Sequence, residues 1–257
     1  MENLIVIKVG GNALEELSAS FYEQLADWHT KGKKIVIVHG GGNKISELSG
    51  QLQLTVKKKK GIRITDAATL EVTRMVLLGY SQPQLLQQLT AHQLPALGLN
   101  AAIDQLVTGT YLDQATFGFV GKVTKVNQAC FDTLLARHIG VLAPLALDSA
   151  GTWLNINGDS AAAAIASLLG AEALYFVTDV PGIMQAGNVL TKLSYQQAMT
   201  LQQEKVITAG MMPKIAAAFQ ALQYGVAAIQ ITNDLQKIGT VITKEGVMQD
   251  DYVSSNV

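Results

Sequence analysis

The apolar positions of this chain alternate between short unbroken runs and helically spaced stripes. Leu4–Val9 is such a run, interrupted only by Lys8, and predicts a buried strand. Phe21, Leu25 and Trp28 follow at helical spacing. A second buried strand over 35–38 runs into Gly40-Gly41-Gly42, and Ile45, Leu48 and Leu52 stripe the helix after it. Strand, helix, strand, glycine turn and helix in that order predict a parallel sheet covered on both faces. Residues 56–64 predict a β-hairpin with a basic turn. Val72, Met75, Val76 and Gly79 mark another helix, and Pro83 starts the next. Ala96–Leu99 and the region 106–126 read as short strands with turns, Phe131, Leu134 and Leu135 as a helix, and 141–146 as a return to the sheet. Gly158–Leu169 is an alanine-rich helix, and Ala173–Val177 is a strand ending in Thr178-Asp179-Val180-Pro181-Gly182-Ile183. Helices over 194–203 and 213–224 and strands over 228–231 and 240–243 complete the pattern. There is no repeat or low-complexity tract. A lobe boundary therefore falls in a short connection and is placed near Gly170, giving lobes 1–170 and 171–257.

Composition narrows the class. The chain has 257 residues, 49% apolar and 15% charged, enough for a sizeable core in one large domain or two joined lobes. A net charge of −1 gives no global basic field for nucleic acid. The single cysteine, Cys130, excludes an intramolecular disulfide framework and reads as a small apolar helix residue. No apolar stretch reaches spanning length and Met1-Glu2-Asn3 lacks a basic n-region, so the expected location is the cytoplasm.

The candidate chemistry lies at three glycine turns. Lys8 precedes Gly10-Gly11, Gly40-Gly41-Gly42 follows the second strand, and Lys214 follows Gly210-Met211-Met212-Pro213. Glycine turns expose backbone N–H groups and helix starts carry positive potential, so these turns favour anions. A lysine in an apolar strand is costly unless it is paired or faces a cavity. Two ammoniums beside such turns suit a site that holds more than one negative group, which is what phosphoryl transfer demands. His39 alone reads as a hydrogen-bonded structural histidine. The lysine run 57–60 reads as a solvated hairpin tip, with a phosphate patch as the alternative. Arg63, just past the tip, offers a planar fork suited to a carboxylate. In Asn155-Ile156-Asn157-Gly158-Asp159, one residue caps the helix, and Asp159 is placed to orient both lysines. The turn after 173–177 lies where nucleotides bind in open α/β sheets. Neither G-x-x-x-x-G-K-[ST] nor G-x-G-x-x-G occurs, and the four histidines form no zinc motif.

Taken in order, Ile7-Lys8-Val9-Gly10-Gly11, Val38-His39-Gly40-Gly41-Gly42, Lys58-Lys59-Lys60-Gly61-Ile62-Arg63-Ile64-Thr65, Gly118-Phe119-Val120-Gly121-Lys122-Val123, Leu154-Asn155-Ile156-Asn157-Gly158-Asp159, Gly210-Met211-Met212-Pro213-Lys214 and Gly239-Thr240-Val241-Ile242 resemble the amino acid kinase family along the whole chain. Within it they resemble the branch that phosphorylates N-acetyl-L-glutamate. The resemblance implies an α/β fold, a three-layer αβα sandwich around a mainly parallel central sheet. It implies that the N-terminal lobe binds N-acetyl-L-glutamate and the C-terminal lobe ATP with Mg2+. The implied reaction converts the side-chain carboxylate to N-acetyl-L-glutamyl 5-phosphate, the second step of arginine biosynthesis. Carried over by position, Gly41 and Gly42 contact the substrate, Arg63 its α-carboxylate and Asn155 its main-chain atoms. Lys8 and Lys214 stabilise the transition state, and Asp159 organises them. Gly10, Gly11, Asp179, Val180, Pro181, Gly182, Ile183, Val206, Ile207, Thr208 and Gly210 hold the nucleotide, whose phosphates carry the metal. Ala209 stands where many members have Gly or Asp, and Leu99-Asn100-Ala101-Ala102-Ile103-Asp104 where they often carry Ser-Gly-x-Asp.

The physical logic agrees. A side-chain carboxylate, with a reference pKa of about 4.3, is already ionised at neutral pH, so the nucleophile needs no general base. Other acyl-phosphate kinases of the fold, acting on acetylaminoadipate, aspartate or carbamate, are the alternatives, with a catalytically idle nucleotide-binding regulator from another class. By the same resemblance, arginine-inhibited members carry an extra N-terminal helix that links dimers into hexamers. This chain enters its first strand at Leu4, so the expectation is an arginine-insensitive homodimer.

Overall fold

The computed structural model describes residues 1–11, 13–59, 62–207 and 210–244. In chain order, β1 (Leu4–Val9) is followed by α1 (Ala19–Thr30), β2 (Lys34–His39) and α2 (Gly42–Gln51). A short hairpin of β3 (Lys58–Lys59) and β4 (Ile62–Arg63) leads into α3 (Ala67–Val76) and α4 (Gln82–Ala91). Then come β5 (Ala96–Leu99), β6 (Val107–Tyr111), α5 (Gln114–Phe117), β7 (Val120–Val126), α6 (Gln128–Leu135), β8 (Ile139–Leu142), β9 (Leu145–Leu147) and β10 (Trp153–Ile156). The remainder is α7 (Gly158–Leu169), β11 (Ala173–Val177), β12 (Met184–Gln185), β13 (Asn188–Val189), β14 (Lys192–Leu193), α8 (Tyr195–Gln203), α9 (Met212–Gln223), β15 (Ala228–Thr232) and β16 (Thr240–Ile242).

Eight strands form the central sheet in the order β14-β16-β15-β11-β1-β2-β8-β5. All its neighbours pair in parallel except β15 and β16. Strands buried on both faces must be apolar throughout, which is why β1 and β2 read as unbroken runs. Side-chain alternation splits them between two cores. Leu4, Val6, Val36 and Val38 pack with the buried faces of α7 and α9. Ile5, Ile7, Val9, Ile35 and Ile37 pack with Phe21 and Leu25 of α1 and Leu85 and Leu89 of α4. The expected three layers are therefore present. The sheet runs across Gly170 without a break, because β1 pairs directly with β11.

The structure adds β12, β13 and β14 in a stretch where the sequence reading named no element, and three stretches that it did assign differ. The stretch 141–146 is split between two sheets. β8 stays in the central one, whereas β9 joins β10, β7 and β6 in a second, ring-like sheet. Pro144 lies between them and has no N–H to continue a ladder. The region 106–126 includes the short helix α5 between the strands of that ring. Nor does α3 stop before Pro83: residues Leu77–Ser81 form a π-helical turn that carries the rod into α4. The wider turn re-spaces the hydrogen bonds just where proline lacks a donor. It also presses Leu77 and Ser81 towards the Gly41 turn.

Candidate active site

Lys8 shares the parity of Leu4 and Val6, so it points to the face covered by α7 and α9. These helices bring the other charges. Asn157 caps α7 by accepting from the N–H groups of Asp159 and Ser160, which fixes Asp159 in the first turn, where the helix end favours an anion. Lys214 occupies the first turn of α9, next to Pro213. Lys8 Nζ lies 2.9 Å from Asp159 Oδ1, and Lys214 Nζ donates to the same oxygen at 3.2 Å. Lys8, Asp159 and Lys214 are 9%, 9% and 6% exposed. Phe176, the neighbour of Lys8 across β1 and β11, places its ring 5.6 Å from the Lys214 ammonium. Burial pushes the Asp159 carboxyl up, but the two ammoniums outweigh it and hold it below the usual carboxylate range. Burial and then the Lys8 charge pull Lys214 below an ordinary lysine, with Asp159 offsetting part of this.

A cavity of about 270 Å³ leads from Lys8 and Asp159 past Gly11, Gly40, Gly41 and Gly42 to Arg63 and Asn155. Packing explains three of its glycines. A Cβ on Gly11 would come within 3.0 Å of Gly42 N, one on Gly40 within 3.0 Å of Gly11 N, and one on Gly41 within 3.0 Å of Leu77 Cδ2. The two glycine turns thus lie backbone against backbone. At Gly42 a Cβ would meet no protein atom within 4 Å, so packing does not explain this glycine. His39 is fully buried, its Nδ1 donates to the Gly40 carbonyl at 3.2 Å, and burial pulls its pKa to about 4. Neutral at pH 7, it is the structural histidine expected. Arg63 Nη2 donates to Gly42 O at 3.3 Å and Ser46 Oγ at 3.0 Å, while Nη1 is buried without a partner among the described residues. Asn155 Nδ2 donates to Thr65 Oγ1 at 3.0 Å.

The structure brings Lys8, Gly41, Gly42, Arg63, Asn155 and Asp159 around one cavity, with Lys214 bonded to Asp159. The expected nucleotide residues are placed less simply. Gly10 does not offer its N–H to a ligand, because that group extends the sheet by donating to Val177 O at 3.2 Å. Ile183 and Ile207 do not present side chains either; both are packed in the core with Ile215. A Cβ on Gly182 would strike Val189 and Thr240, so packing accounts for that glycine. Asp179 and Pro181 are exposed, Val180 and Val206 half-buried, and Gly210 exposed. Asp179 accepts from Thr178 Oγ1 and opens on a separate cavity of about 440 Å³. Thr208 lies outside the described residues, as do Ala209, Lys60 and Gly61.

Three site residues escaped the sequence reading. Ser46, which holds Arg63, lies one helical turn beyond Gly42, and that periodicity was a usable signal. Thr65, which holds Asn155, is two positions from Arg63. Lys58 lines the cavity, although the lysine run reads as solvated.

The pattern of the amino acid kinase family matches residues 3–233. An acetylglutamate kinase of Lactiplantibacillus plantarum is 53% identical over 95% of this chain and 99% of its own. One of Leuconostoc mesenteroides is 44% identical over 93% of this chain and 98% of its own. The crystal structure of smu.665 from Streptococcus mutans matches with a TM-score of 0.89 and 38% identity, covering 95% of this chain and 99% of that one.

Proposed function

We propose, from the premise that this chain belongs to the amino acid kinase family, that it phosphorylates the side-chain carboxylate of N-acetyl-L-glutamate with ATP. The products are N-acetyl-L-glutamyl 5-phosphate and ADP, and the reaction belongs to arginine biosynthesis. One observation carries the reading: two lysines far apart in sequence converge on a single buried oxygen at the end of the cavity.

The barrier to this reaction is repulsion between the acceptor carboxylate and the ATP tail, together with alignment. Lys8 meets the migrating phosphoryl group from the cavity side, and Lys214, bonded to the same Asp159 oxygen, supplies the second cation. Asp159 keeps both ammoniums in place before substrate arrives, so little reorganisation accompanies the transition state. Gly11, Gly41 and Gly42 bring backbone close to the reacting groups. Arg63 grips the α-carboxylate through its Nη1, and Asn155 holds the substrate's main-chain atoms. The lobe 1–170 supplies this half of the site. The lobe 171–257 supplies the nucleotide half, through the backbone near Gly182, Ile183 and Ile207, the Asp179 carboxylate and the turn at Gly210. Mg2+, held mainly by the nucleotide phosphates, supplies further charge neutralisation when bound. A cytoplasmic homodimer joined through the first lobe belongs to the same proposal; light scattering that gives a monomer overturns that part.

The decisive assay is ATP-dependent acyl-hydroxamate formation in hydroxylamine, with N-acetyl-L-glutamate, acetylaminoadipate and aspartate tested in parallel. N-acetyl-L-glutamate is expected to give by far the highest kcat/KM. Preference for another acid, or no product from any, overturns the reading.

A further inference from the structure

The hairpin of β3 and β4 carries a charge arrangement that the buried lysine centre does not use. Lys58 stands directly opposite Arg63 in its antiparallel register. Like charges in that position destabilise a strand pair, and strands of two residues have little else to hold them. Side chains alternate along this segment. Lys57 and Lys59 fall on one side, where their charges act on Asp66 and Asp113 respectively. Lys58 falls on the other and lines the cavity with Arg63, Gly42 and Asn155. Among the described residues, neither Lys58 nor Arg63 has a carboxylate partner.

The cavity is therefore charged unequally at its ends. At the hairpin, two cations stand with no anion. At the buried end, two ammoniums face one carboxylate, which leaves an excess of one positive charge. We propose that Lys58 is a second cationic contact for the substrate's α-carboxylate. It takes the oxygen that Arg63 Nη1 does not, so that the pair selects a free carboxylate over a neutral group. The inference rests on the reading of this cavity as the acylamino-acid site. A bound carboxylate between Lys58 and Arg63 also replaces their repulsion by two charge-assisted hydrogen bonds.

The test compares Lys58→Met, Lys58→Arg, Lys57→Met and Lys59→Met with the parent enzyme, each checked for an unchanged thermal melt. Substrates are N-acetyl-L-glutamate and its α-amide. Lys58→Met is expected to raise KM for the acid about tenfold or more, the scale of a lost charge-assisted hydrogen bond, with kcat moving far less. The ratio of kcat/KM for acid over α-amide should fall by a similar factor. Lys58→Arg should keep most of that ratio, and the two outward lysines should leave it unaltered. An unchanged ratio in Lys58→Met, or an equal change in all three Met variants, overturns the assignment. If the parent enzyme makes no hydroxamate from N-acetyl-L-glutamate, the functional reading fails instead. The same variants are then compared on whichever acid the panel identifies, against its α-amide.

Discussion

At the buried end of the cavity one carboxylate of the protein pairs with both cations; at the hairpin end, among the described residues, neither cation has a carboxylate partner. Asp159 accepts from Lys8 and Lys214 before any substrate is present, and all three side chains are nearly excluded from water. Arg63 and Lys58 sit at a partly solvated rim, held by two-residue strands and by Arg63's bonds to Gly42 and Ser46. A charge paired inside the fold contributes to stability and to the chemical step together. A charge left unpaired at the rim contributes chiefly to binding. The two ends should therefore separate cleanly in stability, kcat and KM.

The sharpest way to break that contrast is Asp159→Ala. It leaves two ammoniums buried without an anion, a change that costs about 3–5 kcal/mol in comparable pairs. Urea denaturation at pH 7 measures it. The pH dependence has a definite sign. The folded carboxyl titrates below its ordinary 3.8, so its contribution is complete above that value and is lost as pH falls through the lower, folded one. The stability curves of parent and variant should converge only in that acid window. Equal stability at pH 7 would mean that the lysines do not depend on Asp159.

Next in size are Lys8→Ala and Lys214→Ala, each expected to lower kcat by roughly 10²-fold or more, on the scale of a lost oxyanion donor. Lys214 also predicts a pH limb. Its ammonium is held below the ordinary 10.5, so kcat should fall on the alkaline side before a free lysine would titrate. Lys214→Arg should move that limb upward. Unchanged kcat in either alanine variant, with only KM raised, would place these lysines in binding rather than in transition-state stabilisation.

Arg63→Ala should do the opposite, raising KM for the amino-acid substrate about tenfold or more while kcat changes little. Denaturation midpoints should move far less than for Asp159→Ala, because the guanidinium lies at the rim. A fall in kcat comparable to that of the lysine variants would erase the distinction between the two ends.

The contrast also explains what the sequence could reveal. Lys8 was legible because a lysine in an apolar strand demands a partner, and strand parity then fixes the face it shares with α7 and α9. Asp159 and Lys214 were legible because caps and prolines mark helix starts. The splitting of 141–146 falls at Pro144, and the π-helical turn at Leu77–Ser81 lies against the Gly41 turn. Neither leaves a periodic trace. Gly10 read as an open anion turn because sequence does not show that Val177 takes its N–H. Lys58 was hidden by its neighbours: only the hairpin register separates one cavity-facing lysine from the outward ones.

The smallest effect is expected between adjacent glycines, and it tests whether the rim belongs to the ligand. Gly41→Ala puts a methyl 3.0 Å from Leu77 Cδ2, 3.2 Å from Ser81 Oγ and 3.3 Å from Val76 Cγ1. Overpacking of that kind typically costs about 1–3 kcal/mol, so this variant should lose stability. Gly42→Ala meets no protein atom and opens α2, where replacing glycine by alanine gains at most about 0.5–1 kcal/mol. Its methyl instead projects into open space beside the cavity, where the proposed substrate would lie. Gly42→Ala should therefore melt at or slightly above the parent temperature and yet show a KM raised several-fold for the amino-acid substrate. Thermal melts and initial rates decide it together. A Gly42→Ala enzyme with the parent KM would mean that the open space beside this glycine is not occupied during turnover, and that the ligand sits nearer Lys58 and Asn155 than the glycine turn.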